Sequence, residues 1–143
     1  MSGLKGIGIK VIGAAEQAEA PAALGPVEIL RQIADMLETL VASGEGDMID
    51  LQDAQLAPQD YEMLREALAE GEVHAVIDAI EPAEVRETIY PGVWWFTQYN
   101  AEGDIVADLI EVTPLPEVLK ADGEDVADGL ARLKEFLGPA PSA

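Results

Sequence analysis

One histidine and 28 carboxylates are the side chains with which this chain could move protons. His74 lies in GEVHAVID, residues 71–78, where strand alternation would set it beside Glu72 and Asp78. A general base needs a nucleophile or a substrate proton within hydrogen-bond reach. The surrounding sequence offers no serine or cysteine arranged as a nucleophile, so a surface imidazole is the default reading of His74. With so many acidic residues, chance proximity of two carboxylates is expected, and pairing any two for acid–base work would be arbitrary. Asp47, Asp50 and Asp53 hint at a calcium loop, but the alternating ligands, central glycine and closing glutamate of that loop are missing. GIGIKVIG, residues 6–13, fails the spacing of a dinucleotide-binding loop. The chain has 0 cysteines, which excludes disulfides, thiolate zinc sites and cysteine-ligated iron–sulfur clusters. The expectation is a protein that is not an enzyme, with no catalytic residue, no metal ligand and no cofactor. The alternative is a small enzyme or ligand-binding domain built on carboxylates and His74.

The better contact chemistry is aromatic. Trp94 and Trp95 stand side by side, with Tyr90 and Phe96 close by. Tryptophan and tyrosine are enriched at binding hot spots. Adjacent strand residues face opposite ways, so one tryptophan can be core and the other surface: either both faces of this strand are covered, or one presents an aromatic patch. Tyr90, Trp94, Trp95 and Phe96 are therefore the candidate partner-binding residues.

Charge limits the class of partner. The formal net charge is −20, from 28 acidic and 8 basic side chains. Nucleic acid and anionic membrane would be repelled. A basic segment would be steered inward, although an acidic surface also serves plain solubility.

The elements that must hold these residues are read from periodicity. At 143 residues, 49% of them apolar, the chain is long enough for one domain with a sizeable core. No apolar run approaches the roughly 20 residues that cross a bilayer. The beginning lacks the pattern of a signal peptide, which gives a cytoplasmic expectation. Residues 6–12 could form a strand, and 1–24 as a whole read as an extended segment and linker. Pro26 starts a helix whose stripe is Ile29, Leu30, Ile33, Met36, Leu37, Leu40 and Val41, ending at Gly44. Met48–Leu51 reads as a short strand or connection. Pro58 opens a second helix, with Tyr61, Leu64 and Leu68 on one face and Gly71 placed to stop it.

From 72 to 113 the period changes to two. Residues 72–80 form one run, and a second begins at Val85. Pro91-Gly92 is expected to bend that second run without ending it. Past the bend, Val93, Trp95, Thr97 and Tyr99 share one face, and Trp94, Phe96 and Gln98 the other. Asn100–Gly103 fits a hairpin loop, and 105–113 is the return strand. Asp122 caps a last helix with the stripe Val126, Leu130, Leu133 and Leu137. The fold class is α+β, an antiparallel β-meander of three or more strands packed with about three α-helices. The domain is drawn at 25–138, with 139–143 as a tail.

Four short stretches within this region carry a resemblance. Gly71-Glu72-Val73, Glu87-Thr88, Gly92-Val93-Trp94 and Ile110-Glu111-Val112 resemble the C-terminal domain of hydrogenase expression/formation proteins of the HupH/HyaF type. The likeness runs from about Asp47 to Leu119, roughly half the chain. It implies a non-catalytic assembly factor or chaperone in nickel–iron hydrogenase maturation. The implied partners are the iron–sulfur small subunit, its basic signal peptide, or another maturation factor. Homodimerisation through the aromatic strand, as a structural or interaction domain, is the alternative.

Overall fold

The structure is a computed structural model, and it describes residues 25–141. The run at 6–12 and the linker before Pro26 lie outside the described residues.

Helix α1 spans Pro26–Ser43, with Pro26 at its first position. Glu28 Oε1 accepts from Gly25 N–H at 3.1 Å, closing the first turn. Gly44, at φ 82°, ends α1 in the left-handed conformation, and its N–H donates to Leu40 O. Ile29 and Ile33 are buried, while Val41, expected on the same stripe, is 87% exposed. It lies in the last turn, where Leu40 rather than Val41 packs against the core.

Strand β1, Asp47–Asp50, follows. A one-turn helix α2, Leu51–Ala54, has no counterpart in the periodicity; Asp50 caps it by accepting from Gln52 N–H at 2.9 Å. Helix α3 is Pro58–Leu68. Gly71 does not end it. Ala69 does, at φ 52°, with its N–H bonded to Arg65 O at 2.8 Å.

Strands β2 (His74–Ile77), β3 (Ala83–Glu87), β4 (Val93–Tyr99) and β5 (Ile105–Val112) form a meander. With β1 they make one antiparallel sheet in the order β1-β5-β4-β3-β2. Pro91-Gly92 does more than bend a strand: it reverses the chain. Val93 N–H donates to Tyr90 O at 3.0 Å, Pro91 holds the second turn position, and Gly92 sits at φ 92°. That is a type II turn, whose third position needs a positive φ. β3 and β4 therefore run antiparallel, with Glu87 opposite Trp94 and Arg86 opposite Trp95.

Helices α1, α2 and α3 cover one face of the sheet. Their Ile29, Ile33, Leu51, Ala54, Leu64 and Leu68 pack with Ile49, Val93, Trp95, Ile110 and Val112 into one core. On the other face Ala83, Val85 and Trp94 are also buried. There Trp94 Nε1–H donates to Thr113 O at 3.0 Å. A 3-10 turn, Glu117–Leu119, follows a fully buried Pro116. Helix α4, Gly123–Leu137, is capped by Asp122, which accepts from Glu124 N–H at 2.7 Å. None of its residues is buried.

Candidate functional site

Backbone pairing draws the four motif stretches to one end of the sheet. Gly71 N–H donates to Glu87 O at 2.7 Å, and Glu87 N–H donates to Val73 O at 2.9 Å. Thr88 N–H donates to Val93 O at 3.0 Å, and Thr113 N–H to Gly92 O at 2.9 Å. In register, Val93 lies opposite Val112, and Trp94 lies between Glu87 and Glu111. Gly71 is required by proximity: a side chain there would run into the Thr88 and Glu87 carbonyls. The hairpin tip is tied to α3, since Ile89 N–H donates to Leu68 O at 2.9 Å. That bond satisfies a carbonyl the helix end leaves free.

Two surfaces meet at this tip. One is a cleft lined by Glu70, Gly71, Glu72, Glu87, Thr88, Ile89 and Pro91, with three carboxylates and no basic side chain. The other is an apolar groove between α1 and α3, lined by Leu30, Ile33, Ala34, Leu37, Ala67 and Leu68 with Tyr90 at its edge. Ile89 and Tyr90, at 50% and 47% exposure, stand out between them. On the far face, burial pushes the Glu111 carboxyl up, and nearby Glu117 pushes it further, with Lys120 opposing.

Beside the tip, on the helix-covered face, a buried carboxylate organises three donors. Asp108 Oδ1 accepts from Trp95 Nε1–H at 2.7 Å and from Thr97 Oγ1–H at 3.0 Å, and Oδ2 accepts from Tyr61 O–H at 2.6 Å. Tyr61 meets Trp95 edge to face, with ring centroids 5.5 Å apart. The Arg65 guanidinium lies 5.0 Å from the Trp95 ring centroid. Burial, then the hydrogen bond to Asp108, pushes the Tyr61 phenol up to about 12.

A second carboxylate hub continues the network toward the β2 edge. Glu84 accepts from Arg86 at 3.0 Å and from Tyr99 O–H at 3.1 Å, and lies 3.2 Å from His74 Nε2. Desolvation opposes its ionisation, but Tyr99, Arg86 and His74 outweigh it and hold the Glu84 carboxyl below its usual value. A small cleft lined by Arg65, Arg86, Trp95, Thr88, Ala69 and Glu70 joins the two hubs to the tip.

The aromatic candidates divide unevenly. Trp94 and Trp95 do face opposite ways, yet both are buried, each 5% exposed. Of the two alternatives, the structure has both faces covered there, so neither tryptophan is a free contact residue. Phe96 is half-buried, and Tyr90 is the one of the four that projects. His74 meets Glu84 across the strand pair instead of Glu72 and Asp78 along it. Asp47 and Asp50 are spent on local turns, accepting from Met48 N–H and Gln52 N–H. Among the described residues no group of three His, Asp or Glu is placed to hold a metal ion.

The Asp108 hub went unread in the sequence. Its one signal was an acidic residue alternating in phase with Ile110 and Val112 on an otherwise apolar strand face, 47 residues from the tyrosine that meets it. The arrangement as a whole can order aromatic rings and present charge. The carboxylate oxygens of Asp108 and Glu84 are already occupied by structural donors.

Known proteins share this fold. A family model described as the HupH hydrogenase expression protein, C-terminal conserved region, matches residues 24–139. That is wider than the stretch from Asp47 to Leu119, and takes in α1 and α4. The hydrogenase expression/formation protein HupH of Rhodobacter capsulatus is 31% identical over 119 residues, covering 82% of this chain and 43% of that protein. The hydrogenase expression/formation protein HoxQ of Azotobacter vinelandii is 32% identical over 80 residues, 56% of this chain and 28% of its own. The chain thus spans less than half the length of these curated relatives. Among solved structures, the hydrogenase expression protein HupH from Thiobacillus denitrificans superposes with a TM-score of 0.73 at 39% identity, covering 76% of this chain and 90% of that one.

Proposed function

This chain belongs to the family of HupH hydrogenase expression proteins, through their C-terminal conserved region, and from that premise we propose that it is a non-catalytic accessory factor in nickel–iron hydrogenase maturation. Its partner in this reading is the iron–sulfur small subunit, engaged through a basic segment followed by an apolar one, as in that subunit's signal peptide. The observation that carries the reading is the hairpin tip. There a cleft with Glu70, Glu72 and Glu87 adjoins an apolar groove edged by Tyr90. Acidic residues would take the basic part by charge, and the groove would take the apolar part by burial. The net charge of −20 would steer such a segment toward the chain. A non-catalytic role is supported by Asp108 and Glu84, whose oxygens already serve neighbouring donors.

The test is calorimetric titration of the purified chain with a synthetic hydrogenase small-subunit signal peptide, at low and at high salt. The expected result is saturable binding that weakens as salt rises, and that weakens again when Glu72 and Glu87 are changed to Gln. Binding indifferent to both would remove the electrostatic mechanism. No binding of either the peptide or the small-subunit precursor would remove the partner.

A further inference from the structure

Helix α4 is an amphipathic helix whose apolar side none of the described residues buries. Val126, Leu130, Leu133 and Leu137 are 57%, 53%, 56% and 69% exposed, and Phe136 is 85% exposed. A 15-residue helix is marginal alone in water, and most helices are held by burying such a face.

The spacing says what kind of surface this is. Val126, Leu130, Leu133 and Leu137 are separated by four, three and four residues, the a/d seam of paired helices. In that register Ala127, Gly129, Lys134 and Phe136 flank the seam. The four carboxylates of α4, Glu124, Asp125, Asp128 and Glu135, all fall on its outer positions. In a chain this acidic, a seam cleared of carboxylates is complementary to its own copy. A seam for a bilayer surface would be flanked by basic residues and backed by a face that anionic lipid does not repel.

We infer that α4 pairs antiparallel with α4 of a second copy of this chain, making a two-fold dimer. Antiparallel packing puts Leu130 of one copy against Leu133 of the other, and Val126 against Leu137. It also opposes the two helix dipoles favourably. The projecting Phe136 then meets the gap over the other copy's Gly129, where a side chain would find only the end of Arg132 near it. The seam uses none of the residues that line the hairpin tip, so this inference stands or falls independently of the partner proposed above.

Sedimentation equilibrium of the full 143-residue chain decides it. The expected result is a reversible dimer that tightens as salt is raised, because salt screens the repulsion of two chains at −20 each. Leu133→Asp should weaken it by at least about tenfold. Since α4 is exposed, that change should leave the circular dichroism of the sheet intact. A monomer at every concentration and salt, or a dimer indifferent to Leu133→Asp, would overturn the inference. Because the chain has 0 cysteines, single-cysteine variants read the direction cleanly. Val126→Cys mixed with Leu137→Cys should cross-link, whereas Val126→Cys efficiently linking to itself would overturn the antiparallel arrangement.

Discussion

Trp95 and Asp108 are joined diagonally across β4 and β5. The indole Nε1–H donates to Oδ1 at 2.7 Å, although the register sets Trp95 opposite Ile110 and Asp108 opposite Thr97. The carboxylate is 5% exposed. A charge so buried needs donors on its oxygens, and Trp95, Thr97 and Tyr61 provide them. The hub pins the first turn of α3 to the sheet through Tyr61, while the hairpin tip rests on its last residue, Leu68.

Asp108→Ala should therefore cost about 3 kcal/mol, because it strands three donors at once. Urea denaturation followed by tryptophan fluorescence measures the loss. An unchanged midpoint would mean that the hub contributes little to stability.

Alkali should unlock the same hub. The Tyr61 phenol is pushed up to about 12, against about 10 in an unfolded chain. A raised pKa contributes stability that is complete below the unfolded value and lost as pH rises through the folded one. Stability should fall between about pH 10 and pH 12, and more steeply than in Tyr61→Phe. Ultraviolet titration of phenolate absorbance with parallel melting curves checks both parts.

Gly71→Ala should destabilise by about 2 kcal/mol, since the new methyl group would press on the Thr88 carbonyl. Gly123→Ala, where a side chain meets open space, is the control and should be neutral or mildly stabilising. Equal melting temperatures for the two variants would show that the close approach relaxes freely.

Trp94→Ala and Tyr90→Ala should part company. Trp94 is a covered ring bonded to Thr113 O, and its removal should cost about 3–5 kcal/mol. Tyr90, at 47% exposure, should cost less than about 1 kcal/mol in stability. Binding of the signal peptide should instead weaken in Tyr90→Ala. Calorimetry and melting curves on the same samples separate the two effects.

Much of this protein is written locally. Pro26, Gly44 and Pro58 mark helix ends because they act on their own backbone, and the structure has helix ends at all three. The period-two runs from 72 to 113 became strands because burial on a sheet face demands alternation. The four motif stretches pointed to the right family before any of them had been placed in space.

What failed to show in the sequence depended on something distant. Gly71 reads as a helix stop, but its reason is the Thr88 carbonyl packed against it. Pro91-Gly92 reads as a bend within one strand, and only the pairing of Glu87 with Trp94 makes it a reversal. The Trp94-Trp95 alternation gave opposite faces correctly, but covering is a property of whatever lies over a face, which no local pattern encodes. Asp108 needed a tyrosine 47 residues away to become a hub.

The sequence by itself determined helix ends, strand alternation, charge sign and family, because these arise from each residue's own backbone freedom, polarity and order in the chain. The tertiary structure alone decided which side chains are buried, which carboxylates are already bonded, and that no described residue buries the apolar face of α4. Those are outcomes of chain segments meeting across space, and their energies exist only once the segments have met.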